Sequence, residues 1–271
     1  MAIYDYQGNV IESGGGTSQA INYDATVTAV NHRGYNTVAP ENTLPAFKLS
    51  KKNGFNIVET DVQFTSDGVA VCLHDRTIDR TSDGTGNIDS MTWEQVQTYD
   101  FGSWKSSTYA GTKIPSFEEF LALCKNIGLH PYIELKSDAP YTQAQIESVI
   151  DMVHAYGMDK YSTYISFSSA FLGYVKNYDA NARLGFLKSS ATTSDISTLQ
   201  GLKTTTNEVY YGAKYTSVTS AICEAYQTAG IPIEIWTVDT ASAITGMNPY
   251  ITGVTSNKLI AGKVLYDANI N

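Results

Sequence analysis

Short apolar runs of strand length alternate with helix-length segments from residue 27 to residue 256. VTAVN (27–31), NIVETDVQF (56–64), HPYIELK (130–136), STYISF (162–167), RLGFLK (183–188), NEVYYG (207–212), PIEIWTV (232–238) and ITGVTS (251–256) read as strands. Helices are expected over 43–54, 116–128, 142–157, 170–178, 193–201, 217–230 and 240–248. The helix at 116–128 carries its own punctuation, with Ser116 as cap, Glu119 three residues on and Gly128 at the end. Strands that alternate with helices imply βαβ units and a parallel sheet. Eight strands in this rhythm imply an α/β fold closed as a (β/α)8 TIM barrel rather than an open sheet.

Three segments depart from the rhythm. VAVCLHD (69–75) is an extra strand, joined to its predecessor by the turn TSDG. Residues 76–115, rich in Gly, Ser, Thr and Asp, are expected as a small insertion after the second strand, hanging over one barrel end. Residues 1–25 read as an N-terminal arm and linker, with a small hairpin around Gly8 and a flexible GGG joint at 14–16, so the barrel is taken as 26–271.

A length of 271 residues is ordinary for one such barrel. The three cysteines, Cys72, Cys124 and Cys223, are far apart and flanked by apolar residues, so they read as small buried hydrophobes. The formal charge of −9 and the lack of a Lys/Arg cluster exclude a nucleic-acid partner. An anionic substrate would then need local cations or a bound metal. No apolar run approaches the roughly 18 residues of a membrane span. The first residues lack the basic and apolar regions of a secretory signal. A cytoplasmic location is expected, or an extracellular or particle-associated one reached without a signal.

In a barrel of this kind chemistry gathers at the C-terminal strand ends. His32, Glu59, Asp61, Glu134, Lys136 and Trp236 fall at or near such ends, and His74 ends the extra strand. Glu59 and Asp61, two apart on a strand, face one side. With Glu134 they form an oxygen-rich site that suits Mg²⁺ or Ca²⁺ better than zinc, with Mn²⁺ also accommodated. His32 and His74 suit acid–base work on either side of a phosphorus atom, with Asp75 able to orient the second ring. Arg33 and Lys136 would neutralise non-bridging oxygens. Trp236 is expected to wall a small polyol. His130, at the opposite strand end, and His154, on an amphipathic helix, are expected to be structural.

HRG, PENTLPAF, ETDVQFTSDGVAVCLHDRTIDRT, a glycine at 86, IPSFEEFL, IELK, SF and WTV occur in this order over about residues 28–240. Together they resemble the glycerophosphodiester phosphodiesterase family. The resemblance implies a barrel with an insertion after its second strand, and hydrolysis of glycerophosphodiesters to glycerol 3-phosphate and an alcohol, a reaction of lipid metabolism. It implies His32 and His74 as the catalytic pair and Glu59, Asp61 and Glu134 as ligands of one divalent cation. Arg33 and Lys136 would be its phosphate contacts. Which histidine gives the proton and which takes it stays open. The last strand departs from the family: GVTSNKLIAG places Ser256 and Asn257 where an acid is common. A glycerol-phosphate polymer such as teichoic acid, met by a phage-tail protein, is an alternative substrate that the N-terminal arm and polar surface would fit. A non-catalytic glycerophosphate-binding module is a third reading.

Overall fold

The computed structural model describes residues 27–258, apart from 139 and 246, and the backbone of two short strands, β1 (Ala2–Tyr4) and β2 (Val10–Ser13). These two pair antiparallel, as expected for the hairpin. The turn around Gly8, the GGG joint and residues 259–271 lie outside the described residues.

The barrel strands are β3 (Thr28–Asn31), β4 (Ile57–Phe64), β6 (His130–Leu135), β7 (Thr163–Ser166), β8 (Arg183–Lys188), β9 (Val209–Lys214), β10 (Ile233–Trp236) and β11 (Ile251–Ser256). All eight run parallel. The order β3-β11-β10-β9-β8-β7-β6-β4 closes on itself through a β3–β4 pairing. The short strand β5 (Ala70–Cys72) pairs antiparallel with the end of β4. The helices between strands are α1 (Leu44–Lys52), α3 (Phe117–Ile127), α4 (Gln143–Ala155), α5 (Ser169–Tyr178), α6 (Ile196–Leu202), α7 (Ser220–Thr228) and α8 (Ala241–Thr245). A short α2 (Trp93–Val96) lies in the insertion.

Local chemistry sets the ends. Ser116 and Glu119 form the expected capping box of α3, and Thr142 with Gln145 does the same for α4. Where boundaries shift, a polar side chain is the reason. The strand expected from residue 207 starts at Val209, because Asn207 is occupied as a loop plug. Its side chain accepts from Thr204 N at 2.7 Å and donates to Leu202 O at 3.1 Å. The helix expected from residue 217 starts at Ser220, where the Thr219 hydroxyl caps Ile222 N at 3.3 Å. The extra strand is shorter than expected. β5 pairs with Val62–Phe64 of β4, one further bond runs from Leu73 N to Asp61 O at 2.9 Å, and His74 lies beyond the strand, in a bend.

Alternation along β4 divides the core in two. Val58 and Val62 face outward and pack among Phe47, Phe120 and Leu121 of the surrounding helices. Glu59 and Asp61 face inward. The barrel interior holds a smaller apolar set, Val30, Tyr132, Ile165, Leu187 and Tyr210. The insertion packs Ile78, Ile88, Val96, Phe101 and Ile114 into a second core with Val71 and Leu73 of the segment before it. It is tied to the β3–α1 loop by Lys105 Nζ, which donates to Asn36 O at 2.5 Å, and by Tyr109, packed with Tyr35, Ala39, Ala46 and Leu49. The three cysteines are free and buried. Among the described residues no helix is long and apolar enough to cross a membrane.

Candidate active site

The parallel register of β4 with β6 sets Asp61 beside Glu134, and the side-chain period sets Glu59 on the same inner face. All three carboxylates are buried, and one oxygen from each lies within 4.8 Å of the others. Arg33 and Gly34 are both left-handed, with φ of 53° and 74°, and turn the chain back over the site. A Cβ on Gly34 would meet the Ala46 carbonyl carbon at 2.8 Å, which explains the glycine of HRG. The turn aims Arg33 N at Glu59 Oε2, 2.9 Å away. The PENT segment supplies the next layer. Asn42, itself at φ 54°, donates to Asp61 Oδ2 at 2.8 Å, and Glu41 holds the Arg33 guanidinium at 2.9 Å. Lys136 Nζ lies 2.8 Å from Glu134 Oε1 and 3.3 Å from Asp61 Oδ1.

Burial raises the Glu59 carboxyl well above the ordinary range, and the charges of Asp61 and Glu134 raise it further. Glu134 is raised for the same first reason, with Asp61 next. Burial would raise Asp61 too, but Arg33 and Lys136 outweigh it and hold Asp61 low. Three buried carboxylates around one point therefore carry unbalanced negative charge. Glu59 Oε1 and Asp61 Oδ1 are buried without a hydrogen-bond partner; the Lys136 ammonium is near Asp61 Oδ1 but off the bonding direction. Orphaned carboxylate oxygens at ligand spacing are the donor set of a hard divalent cation, so these residues fit one.

Two imidazoles border the carboxylates. His32 Nε2 is 3.9 Å from Glu59 Oε2. Its Nδ1 is 2.7 Å from Asn257 Oδ1. The Asn257 amide is oriented by Asp239, whose carboxylate accepts from Asn257 Nδ2 at 2.8 Å and from Asn257 N at 2.9 Å. Oδ1 is thus the atom facing His32, and His32 Nδ1 must carry the hydrogen. Burial first, then Arg33, lowers the His32 pKa to about 4, which keeps the ring neutral. His74 has a different partner: its Nδ1 is 2.6 Å from Asp75 Oδ1. Arg80 holds the far oxygen of Asp75 at 2.6 Å and reaches Glu41 with two contacts of 2.8 Å. A chain of alternating charges, Asp75–Arg80–Glu41–Arg33–Asp61, therefore links the insertion to the carboxylate site.

Both imidazoles line a cavity of about 170 Å³, with Arg33, Glu59, Glu134, Lys136 and Trp236. Trp236 ends β10, donates from Nε1 to Gly212 O at 3.0 Å and stands edge-on to Phe167, 5.5 Å between centroids. His130 and His154 are elsewhere. His130 opens β6 against the Tyr161 ring, and His154 pairs with Asp179 at 3.0 Å. The residues that sequence reasoning did not single out are Asn257, Asp239, Glu41, Asn42 and Arg80. Asn257 stands out in the sequence only as a departure from the family pattern, yet it sits against a site histidine.

Fold and site together define a (β/α)8 barrel with an acid–base mouth: carboxylates able to hold a hard cation, bordered by two imidazoles and an arginine–lysine pair. A family model described as the glycerophosphoryl diester phosphodiesterase family matches residues 32–259. The chain belongs to this family. Over 115 residues it is 40% identical to human glycerophosphodiester phosphodiesterase 1, covering 42% of this chain and 35% of the relative. Over 158 residues it is 32% identical to a glycerophosphodiester phosphodiesterase of Caldanaerobacter subterraneus subsp. tengcongensis, covering 58% of this chain and 65% of that protein. The chain thus spans from about a third to just under two thirds of the length of these relatives. Among solved structures, a putative glycerophosphoryl diester phosphodiesterase from Silicibacter pomeroyi superposes with a TM-score of 0.79 at 21% identity, over 90% of this chain and 95% of that one. An Oleispira antarctica phosphodiesterase in complex with the product sn-glycerol-3-phosphate gives 0.78 at 22% identity, over 90% of this chain and 98% of the other.

Proposed function

We propose that this chain hydrolyses glycerophosphodiesters to glycerol 3-phosphate and an alcohol, using one divalent cation and the two histidines. The observation that carries the reading is the buried carboxylate cluster of Glu59, Asp61 and Glu134, with Glu59 Oε1 and Asp61 Oδ1 orphaned, beside a cavity that Glu59 and Glu134 line together with His32 and His74. The product named in the Oleispira antarctica complex supports the substrate class.

Glu59, Asp61 and Glu134 would hold the cation, Ca²⁺ or Mg²⁺ by the hardness of their oxygens. When bound, it supplies Lewis-acid stabilisation of charge on the phosphoryl oxygens. Arg33 and Lys136 share that work as hydrogen-bonding cations at the same rim. His32 has Nδ1 committed to Asn257, so Nε2 offers a lone pair to the cavity and takes the proton of the attacking hydroxyl. His74 has Nδ1 against Asp75, which orients the ring as a carboxylate orients the imidazole of a catalytic triad. Nε2 of His74 then delivers the proton to the leaving alkoxide. Trp236 forms an apolar wall beside the reacting group.

The test is release of glycerol 3-phosphate from glycerophosphocholine and related diesters, with added divalent cation and with chelator. Cation-dependent release is expected. No turnover on any glycerophosphodiester with cation bound would overturn the reading.

A further inference from the structure

We infer that the inner end of the cavity is a polyol subsite, in which Tyr210 and Glu234 receive the terminal hydroxyl of the substrate's glycerol moiety. The inference rests on the reaction proposed above and assigns which end of that substrate enters the barrel.

The interior of a (β/α)8 barrel is normally filled by layers of side chains. Here three inward positions on β8, β9 and β11 are glycine: Gly185, Gly212 and Gly253. Each gives way to a neighbour lying across the interior. A Cβ at 185 would stand 2.4 Å from the Tyr210 hydroxyl, and one at 253 would stand 2.6 Å from Glu234 Cδ. The cavity runs inward from the histidines to these two side chains.

The two ends of that path differ in what they can hold. At the rim Arg33 and Lys136 line the cavity beside the carboxylates and can meet a phosphate. At the floor Glu234 is paired with Arg183 at 3.3 Å, and no cation lines that end among the described residues. An anionic diester therefore enters with its neutral hydroxyl-bearing end first and leaves its phosphate at the rim.

The floor groups have unused hydrogen-bonding capacity. Tyr210 and Glu234 are each 4% exposed. The Tyr210 hydroxyl lines the cavity and has no hydrogen bond among the described residues. Glu234 Oε1 has two long contacts of 3.3 Å, from the Tyr132 hydroxyl and from Arg183 Nη2, and Oε2 has no partner. Buried polar groups left unpaired are costly, and a small hydroxylated ligand relieves that cost. Ile165 and Leu187 flank the path and suit the carbon faces of such a ligand. The cavity is small, about 170 Å³, so with the phosphate held at the rim its inner end receives a three-carbon polyol and the alcohol half of the diester points outward.

The experiment compares glycerophosphocholine with its analogue whose terminal CH₂OH is CH₃ and whose 2-hydroxyl is kept. The kcat/KM of both is measured for wild type, Tyr210→Phe and Glu234→Gln, with melting temperature as the folding control. Wild type should prefer the glycerol compound by about tenfold or more, and each variant should reduce that preference several-fold. Equal rates on both compounds in wild type, or variants that slow both equally, would overturn the subsite. If Glu234→Gln fails to fold, Tyr210→Phe decides. If no glycerophosphodiester is turned over, the reaction itself is refuted. The subsite is then judged by calorimetric binding of glycerol 3-phosphate against propane-1,2-diol 1-phosphate, where equal affinity overturns it.

Discussion

His32 and His74 look alike in the sequence and differ in the structure because of what touches Nδ1. An amide fixed by Asp239 faces the first, and a carboxylate fixed by Arg80 faces the second. His32→Ala and His74→Ala should each lower turnover by about 10²–10⁴ with melting temperature unchanged, because each removes a proton-transfer partner. Full activity in both variants would refute the assignment. Glu59→Gln should raise the cation concentration needed for half-maximal rate, with excess cation partly restoring turnover, since one of three ligands loses its charge. A cation titration identical to that of wild type would refute its ligand role. Glu59, Asp61, Glu134 and His32 were legible as candidates because residue type and strand-end position agreed, and His74 by its type and its neighbour Asp75, although it lies past its strand in a bend. Asn257 and Asp239 were not. They reach His32 only because β11 closes the barrel against β3, a contact between residues 225 apart that no local pattern records.

The elements repeat this division. The rhythm from residue 116 onward was legible because each helix buries one face on the barrel and each strand has a parallel partner on both sides. Residues 76–115 gave no rhythm because they hold only one-turn pieces, such as α2 and the 3₁₀ turns Ile88–Ser90 and Ser107–Tyr109, around a small core. That insertion supplies Arg80, which bridges Asp75 to Glu41 across two elements. Arg80→Ala should free the Asp75 carboxylate from one side and let the His74 ring reorient. Turnover should fall roughly tenfold, as expected when positioning rather than chemistry is lost. Stability should change little, because Arg80 is 45% exposed and surface ion pairs contribute little. Arg80→Lys, which keeps the charge but loses the two-pronged contact with Glu41, should recover only part of the rate. An Arg80→Ala variant with wild-type turnover would show that Asp75 needs no such support.

For the molecule as a whole, the site is a charge problem solved in two ways. Glu41, Glu59, Asp61, Asp75 and Glu134 face Arg33, Arg80 and Lys136, so the ionised set carries two excess negative charges. One divalent cation balances them; without it, protons do. The folded-state pKa values of Glu59 and Glu134 are raised, and burial pushes Glu234 up from 4.5 to about 7. A carboxyl raised on folding contributes stability that is fully present below its unfolded pKa and is lost as pH rises through its folded value. Asp61 is lowered and acts in the opposite sense, losing its contribution only as pH falls below the ordinary carboxylate range. Chelated protein should therefore melt at a lower temperature at pH 8 than at pH 5. Added Ca²⁺ or Mg²⁺ should restore more at pH 8, where Glu59 and Glu134 are unprotonated ligands. At a hundredfold excess over its dissociation constant a cation adds about 2.7 kcal/mol, which for a chain of this length is on the order of 5–10 °C. Burial, Arg183, Tyr132 and Glu208 set the Glu234 shift rather than the cation ligands, so its share of the loss between pH 4.5 and about 7 should persist with cation present and vanish in Glu234→Gln. Melting curves with and without chelator at the two pH values separate these parts. Equal cation increments at pH 5 and pH 8 would mean that the three carboxylates are not what the cation neutralises.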